Sequence, residues 1–488
     1  VILLGIYLSV LPDRLSGKNY AGDSGDFLTA MLVGGIPHPS GYPSYMLLGI
    51  LVQSLPLGTP YWRGALLSAV PAALAAGLLG YWVTRWGAGG NNLGWLAGIA
   101  AGIAAGISPG IWSQAVIVEV YGLESLFIVL VLVWIALLSQ SDPAQRNPIP
   151  LFGFALCFGL GLGTHLTLIL LAPIILYAAW TARRNGMPWK WLAAQAGAVL
   201  LGLLVYLYLP MAAQGYPPVN WGNPQTWNGF FWEVTGQPYR GLVFGLELAR
   251  YPERIAAWAN LLWQQFGLPG LLIGVVGAIQ FPFQQKLMRA VLAWTFLVFS
   301  IFAIGYRTDD SIAYLIPAYL IFATWIGLGI LLVLPVQWRK LPVGIGLGAA
   351  ILVSLVIRIP DTRAKIDPRT DYGPAVFASE YLAAAPPSAI LFASGGKDAF
   401  PLWFAHFGQK QRPDVAVVVL PLTQFAWYQQ TLIHTYPDLA FPAIDLGAQG
   451  STRWGEKIPD LNPDRAICRS TVELANPGGI IKECRDPR

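Results

Sequence analysis

Two aspartates three residues apart, in Asp23-Ser24-Gly25-Asp26-Phe27, precede a helical stretch to Val33 and the turn Pro37-His38-Pro39-Ser40-Gly41-Tyr42-Pro43. A carboxylate held close to a membrane surface is partly desolvated, which raises its pKa toward working pH and suits it to act as a general base. The same pair at a helix start also suits capping. Asp23 or Ser24 would accept from the first free N–H groups, and Asp26 would favour the positive end of the helix dipole. Glu119, within WSQAVIVEVYGLE (Trp112 to Glu124), lies beside a span, where a carboxylate is costly unless solvated, paired or used. It reads either as a structural or solvated loop acid or as a second site carboxylate. His165, in Gly163-Thr164-His165, falls at a tight turn between two apolar runs, where a hydrogen-bonded structural role competes with a functional one.

A phosphate-bearing substrate would need a cation. Arg307, in Arg307-Thr308-Asp309-Asp310, can hold two phosphate oxygens at once with Asp309 and Asp310 orienting it, or the four residues form a self-compensated surface cluster. Arg240, in Gln237-Pro238-Tyr239-Arg240, is a rival for the same role. The aromatic stretch from Asn220-Trp221-Gly222-Asn223-Pro224-Gln225-Thr226-Trp227 through Phe230, Phe231 and Trp232 reads as an amphipathic interfacial anchor, with a groove-shaping role as the alternative. No His/Cys/Asp spacing matches structural zinc, and no Ser-His-Asp order suggests acyl transfer.

The elements that must position these groups are membrane helices. The chain of 488 residues is 55% hydrophobic and 11% charged, against roughly a quarter charged in soluble domains. Apolar runs near the ~20 residues needed to span a hydrocarbon core recur up to residue 358. Eleven spans are expected, at 1–12, 62–85, 93–110, 121–139, 150–164, 166–182, 191–211, 267–283, 290–306, 313–334 and 342–358. The apolar segment 41–57 is framed by prolines and reads as an interfacial helix. On that reading Arg85, Arg146, Arg183, Arg184, Lys190, Lys286, Arg289, Arg339 and Lys340 share one side, opposed by Asp142 alone, which is the positive-inside pattern. Asp23, Asp26, His38, Glu119, Glu124, His165, Arg307, Asp309 and Asp310 then share the non-cytoplasmic face with loops 13–61 and 212–266. The net charge of +5 is spread over short loops and not gathered in a basic run, which argues against nucleic acid as a partner. Twenty tryptophans and twenty tyrosines suit interfacial belts.

From about Asp361 the texture becomes that of a water-soluble α/β domain, so 1–358 is expected as the transmembrane unit and 359–488 as a C-terminal domain. Ala389 to Ala393 and Val415 to Leu420 read as strands, and Phe400 to Phe407 as helix. Cys157 falls in a span. Cys468 and Cys484 would pair only in an oxidising compartment. The chain begins at Val1 with a short apolar run, from which a helix extending further upstream is expected.

DSGDF, PHPSGYP, WSQAVIVEVYG, GLGTH, NWGNPQTW, the RTDD turn leading to Tyr314 and Pro317, and GKDAFPLWFAHFGQKQRPDVAVV occur in this order. Together they resemble glycosyltransferase family 117, long catalogued as a domain of unknown function, and they cover nearly the whole chain. The resemblance implies a multi-pass α-helical membrane protein of the GT-C type and inverting transfer from a polyprenyl-phosphate sugar, such as mannose, to a protein or glycan hydroxyl. It implies Asp23 as catalytic base first and Asp26 second, with His38, Tyr42, Glu119, His165, Asp309 and Asp310 supporting the site or binding substrate. Many family members have Glu where this chain has Asp26, a difference of one methylene. The chain lacks a DxD at Glu119, so no metal is expected, and no cofactor beyond the lipid-linked donor. A lipid-linked-sugar flippase without chemistry is the alternative. It would need polar groups through the bilayer depth, whereas here they cluster at one face. Single cysteines placed at positions 23 and 307 are expected to react with a membrane-impermeant maleimide from the same side of sealed vesicles; labelling from opposite sides would overturn the shared-face topology.

Overall fold

The computed structural model describes residues 1–87, 93–139, 148–280, 286–337, 339, 341–445, 450–472 and 480–485. Asp142, Arg146 and Lys340, which enter the charge-asymmetry expectation, lie outside these. Among the described residues eight helices are long and apolar enough to cross a membrane. They lie within Pro60–Arg85, Tyr121–Leu138, Leu166–Arg184, Trp189–Ala213, Leu248–Gln280, Lys286–Gly305, Asp310–Val333 and Val343–Ala384. Gly94–Gly106 and Pro109–Ala115 make a ninth if the pair, bent by 64°, is one span.

Among the described residues eight or nine of the eleven expected spans reach that length. The segment expected at 1–12 forms helix only over Ile2–Leu8, and 150–164 forms the 15-residue helix Pro148–Leu162. At about 1.5 Å per residue the second reaches roughly 22 Å, against the ~30 Å of a hydrocarbon core. The proline-framed segment expected to lie in the interface is the 11-residue helix Pro43–Gln53.

Small residues set how closely the helices approach. Pro60–Gly87 packs along Gly94–Gly106, which packs in turn on Ile316–Val333. Five of the thirteen residues in Gly94–Gly106 are alanine and four are glycine, and such residues let membrane helices approach nearly backbone to backbone. The long helix Tyr251–Gln280 breaks locally at Gly267 (φ 64°) before Pro269 and packs on Ile316–Val333.

Past residue 389 a four-stranded sheet forms, made of β1 (Ile390–Ala393), β2 (Ala416–Val419), β3 (Ile467–Val472) and β4 (Ile480–Arg485). The order is β2-β1-β3-β4, with β1 parallel to β2 and β3 and β3 antiparallel to β4. β1 and β2 are buried along their length, as a parallel sheet covered on both faces requires. The β3–β4 hairpin was not anticipated from the sequence. In it Cys468 stands opposite Cys484, and the two form a disulfide. The helix following β1, Gly396–Trp403, runs on through a wide turn at Phe404–Gly408 and packs on the early helix Ser24–Val33. This contact brings the last quarter of the chain against the first loop.

Gly277 tests the helix packing, because a methyl group there would collide with the backbone carbonyl of Trp325. Gly277→Ala is expected to lower stability by roughly 1–3 kcal/mol, the usual range for overpacking, and to be read as a lower thermal midpoint in detergent. An unchanged midpoint would show that Tyr251–Gln280 and Ile316–Val333 are not so tightly apposed.

Candidate active site

The two aspartates of the first loop sit in different environments. Asp23 precedes helix Ser24–Val33, and its side chain makes no capping bond. Ser24 Oγ donates instead to the Val118 carbonyl at 3.0 Å. The capping expectation for these two residues is thus corrected: the first turn is anchored across to the loop before Tyr121. Asp26 is fully buried. Its Oδ2 accepts from the His38 backbone N–H and the His38 ring Nδ1, both at 2.8 Å, and its Oδ1 accepts from Trp221 Nε1 at 3.2 Å. Every partner Asp26 uses comes from outside its own helix.

His38 is consequently held by Asp26 through Nδ1, and its Nε2 faces Tyr42 Oη at 3.1 Å and Asp23 Oδ2 at 3.6 Å. The side chain of Asp23 is 43% exposed, that of His38 8%. Phe27, Tyr42 and Phe400 enclose the imidazole, with the Phe400 ring stacked at 6.4 Å. Gly25 permits this, since a Cβ there would lie 2.5 Å from the Phe400 carbonyl oxygen.

Asp23 opens onto a cavity of about 810 Å³ whose wall includes Lys18, Asn19, Asp309, Asp310, Asp371 and Lys397. Burial pushes the Asp23 carboxyl above the ordinary aspartate range; the His38 charge opposes this, and Asp26 and Asp310 add to it. Solvent reaching Asp23 through the cavity screens the effect. For His38, burial pushes the imidazole down, but the Asp23 charge, the Asp26 hydrogen bond and the charges of Asp26 and Asp310 outweigh it and leave the ring above its ordinary value. The arrangement is a buried carboxylate orienting a histidine whose other nitrogen addresses an accessible carboxylate.

The remaining expected residues divide. Asp309 and Asp310 line the cavity. Glu119 is buried and near enough to be raised by the Asp23 charge; burial is the larger cause of its carboxyl lying well above the glutamate range, with Asp310 adding and the Val120 N–H opposing. Its backbone is clamped to Ser68 Oγ by two hydrogen bonds. His165 belongs to a separate tie. Its Nδ1 lies 2.6 Å from Thr167 Oγ1, which donates to Glu124 Oε1, and its ring rests among Tyr42, Tyr121 and Tyr314. It supports the floor beneath Tyr42 and is not on the cavity wall.

Neither arginine expected at the phosphate lines the cavity. Arg240 is exposed and donates to Thr235 Oγ1 at 2.7 Å. Arg307 is exposed and pairs with neither Asp309 nor Asp310 among the described residues. The turn is held instead by Arg254, which donates to the Tyr306 and Thr308 carbonyls at 2.8 and 2.9 Å. The cavity cations are Lys18 and Lys397, the latter from Gly396–Trp403. Lys397 could have been suspected from its place in the GKDAF motif; Lys18 carries no local signal.

The expectation of an aromatic anchor at 220–232 splits in the structure. Trp227 and Phe231 are exposed, as an anchor requires, but Trp221 is buried on Asp26. A parallel bridge between Ile36 and Asn220 places it. In Gln237-Pro238-Tyr239-Arg240 the tyrosine, not the arginine, faces the site, its ring 6.5 Å from His38. No group of three or more His, Cys, Asp or Glu able to hold a metal ion occurs among the described residues.

A family model described as the protein O-mannosyl-transferase TMEM260 N-terminal domain matches residues 23–186, and TMEM260-associated domain 2 matches 375–442. The chain resembles the TMEM260 protein O-mannosyl-transferases. Mouse protein O-mannosyl-transferase TMEM260 is 26% identical over 468 residues, and the relative from Dictyostelium discoideum is 22% identical over 501. The alignments take in 90% and 91% of this chain but 64% and 60% of those relatives, so it spans under two thirds of their length. The fold is of the GT-C type. ArnT from Cupriavidus metallidurans bound to undecaprenyl phosphate superposes with a TM-score of 0.54 at 14% identity, covering 92% of this chain and 95% of ArnT; its apo form gives 0.52. The first TMEM260-like match begins at Asp23 itself, and the second includes Lys397 and Phe400.

The raised Glu119 carboxyl carries a stability consequence. A group whose folded pKa exceeds its unfolded value, here the ordinary 4.5, stabilises fully below the unfolded value and loses that contribution as pH rises through the folded one. Glu119→Gln cannot ionise. It is expected to raise the thermal midpoint relative to wild type at pH 8 and to do so less at pH 5. A pH-independent difference would show that the buried carboxyl does not titrate in this way.

Proposed function

We propose that the chain is an inverting glycosyltransferase that moves a sugar, mannose on its likeness to the TMEM260 enzymes, from a polyprenyl phosphate to a protein or glycan hydroxyl. The observation that carries this reading is Asp23: an accessible carboxylate at a cavity, backed by a histidine that a buried aspartate holds in place. The acceptor O–H gives its proton to Asp23, its oxygen attacks the anomeric carbon, and the bond from that carbon to the phosphate oxygen breaks. The electron pair leaves with the lipid phosphate. His38, whose imidazolium form is favoured by Asp23 and Asp26, opposes the upward push of burial on the Asp23 carboxyl and so favours its ionised form. Lys18 and Lys397 supply positive charge on the cavity wall for the departing phosphate.

Asp26, fully buried with its hydrogen bonds committed, serves as the positioning residue for His38 and not as an alternative base. The donor class is supported by the likeness of fold to ArnT, which was crystallised with undecaprenyl phosphate. The non-cytoplasmic placement of the site, with residues 359–488 on the same side, is supported by the positive-inside pattern and by the Cys468–Cys484 disulfide, a bond that persists in oxidising compartments.

In reconstituted vesicles with radiolabelled polyprenyl-phosphate mannose, Asp23→Asn is expected to reduce transfer about 10²- to 10⁴-fold, the usual worth of a general base, while the thermal midpoint stays near wild type. Wild-type transfer is expected to fall as pH drops through a value above 3.8, the ordinary aspartate pKa from which Asp23 is raised. Near-normal transfer by the variant would remove Asp23 from the mechanism.

A further inference from the structure

A second groove, of about 860 Å³, opens between the long loop and the C-terminal unit, on the far side of Trp221 from Asp26. Its volume falls within the ~300–1,000 Å³ typical of small-molecule sites. Trp232, Phe425 and Trp427 form its aromatic side, with ring centroids 5.5 to 5.8 Å apart. Carboxamides surround them: Asn228 and Gln237 from the long loop, and Gln430 from helix Ala426–Thr435. No Asp, Glu, Lys or Arg is among the described residues that line it. The indole N–H of Trp427 is buried without a partner, an unmet donor on the aromatic side of the groove.

We propose that this groove is a binding site for neutral carbohydrate, separate from the Asp23 cavity. A pyranose has C–H faces that pack on aromatic rings and hydroxyls that both donate and accept, and carboxamides match both functions. The lack of charge disfavours a phosphate or a charged peptide. A polypeptide bound by strand addition would need a sheet edge, and no strand lines the groove among the described residues. The position adds a consequence. Gln237 and Pro238 line the groove while the next residue, Tyr239, faces His38, so a ligand in the groove would touch a segment that also reaches His38. Use of the groove by an acceptor glycan rests on the transferase reading; the binding itself does not.

The test is saturation-transfer NMR on the full chain in detergent, with methyl α-D-mannopyranoside as probe and an uncharged acetylated tetrapeptide amide as competitor. Asn228 and Gln237 are exposed and make no hydrogen bond that holds the fold, so Asn228→Ala/Gln237→Ala should fold normally. The expected result is a mannoside signal reduced at least fivefold in that double variant and in Trp427→Phe, which keeps the ring but loses the N–H, and retained in Asp23→Asn. Absence of a mannoside signal, a signal that survives the groove variants, one lost in Asp23→Asn alone, or displacement by the peptide would each overturn the proposal. Wild-type transfer activity alongside any of those results would leave the transferase reading intact, so the two failures are distinguishable.

Discussion

A carboxylate with no solvent contact is tolerated only when hydrogen bonds replace the water it has lost. Asp26 meets that requirement with three donors, from the backbone and ring of His38 and from the indole of Trp221. Trp221 lies 195 residues away along the chain, so satisfying one buried charge obliges the long loop to close over the first loop. The Ile36–Asn220 bridge and the packing of Phe400 on His38 and Gly25 follow the same closure. Removing any one donor would leave an uncompensated charge beneath the site, which is why the pocket behaves as one unit.

The membrane sets the second constraint. Ionisable groups are costly within the hydrocarbon region, and here they gather where helices end: Asp23 at the start of Ser24–Val33, Glu119 just ahead of Tyr121–Leu138, and Asp309 and Asp310 at the head of the apolar stretch to Val333. Crowding acidic groups together has an electrostatic cost of its own. It is offset by the histidine between Asp23 and Asp26, by Lys18 and Lys397 on the cavity wall, and by Glu119 lying well above the usual glutamate pKa. The C-terminal unit is part of this arrangement, because Asp398 fixes its helix by accepting from the backbones of Ser394 and Gly395 and from Ser470 on β3, and the next turn presents Phe400 to the first loop.

Several assignments could be made from local pattern alone. The proline-framed segment at 41–57 announced a short helix, and the continuous β-branched run Val415 to Leu420 announced a buried strand, because both signals are carried by neighbouring residues. The β3–β4 hairpin escaped because its two strands are short, mixed in polarity and far from their partner β1. At 1–12 and 150–164 the described helices, Ile2–Leu8 and Pro148–Leu162, do not match the bounds of the apolar runs. Composition reports what lipid would accept, whereas only the backbone's hydrogen bonds decide how far a helix runs.

The sequence by itself determined that this is a multi-pass membrane protein and that its chemistry-bearing residues lie in its loops, since hydropathy and charge placement are properties of each segment taken alone. It also singled out Asp23 and Asp26 as a pair, and only the family resemblance ranked Asp23 ahead of Asp26. Only the tertiary structure decided that one of them faces the cavity and the other is sealed beneath His38, that Trp221 is a hydrogen-bond donor and not an anchor, and that Lys18 and Lys397, not Arg240 or Arg307, line the cavity. These distinctions depend on which distant segment arrives to desolvate a group or satisfy it, and such long-range pairing leaves no periodicity in the chain.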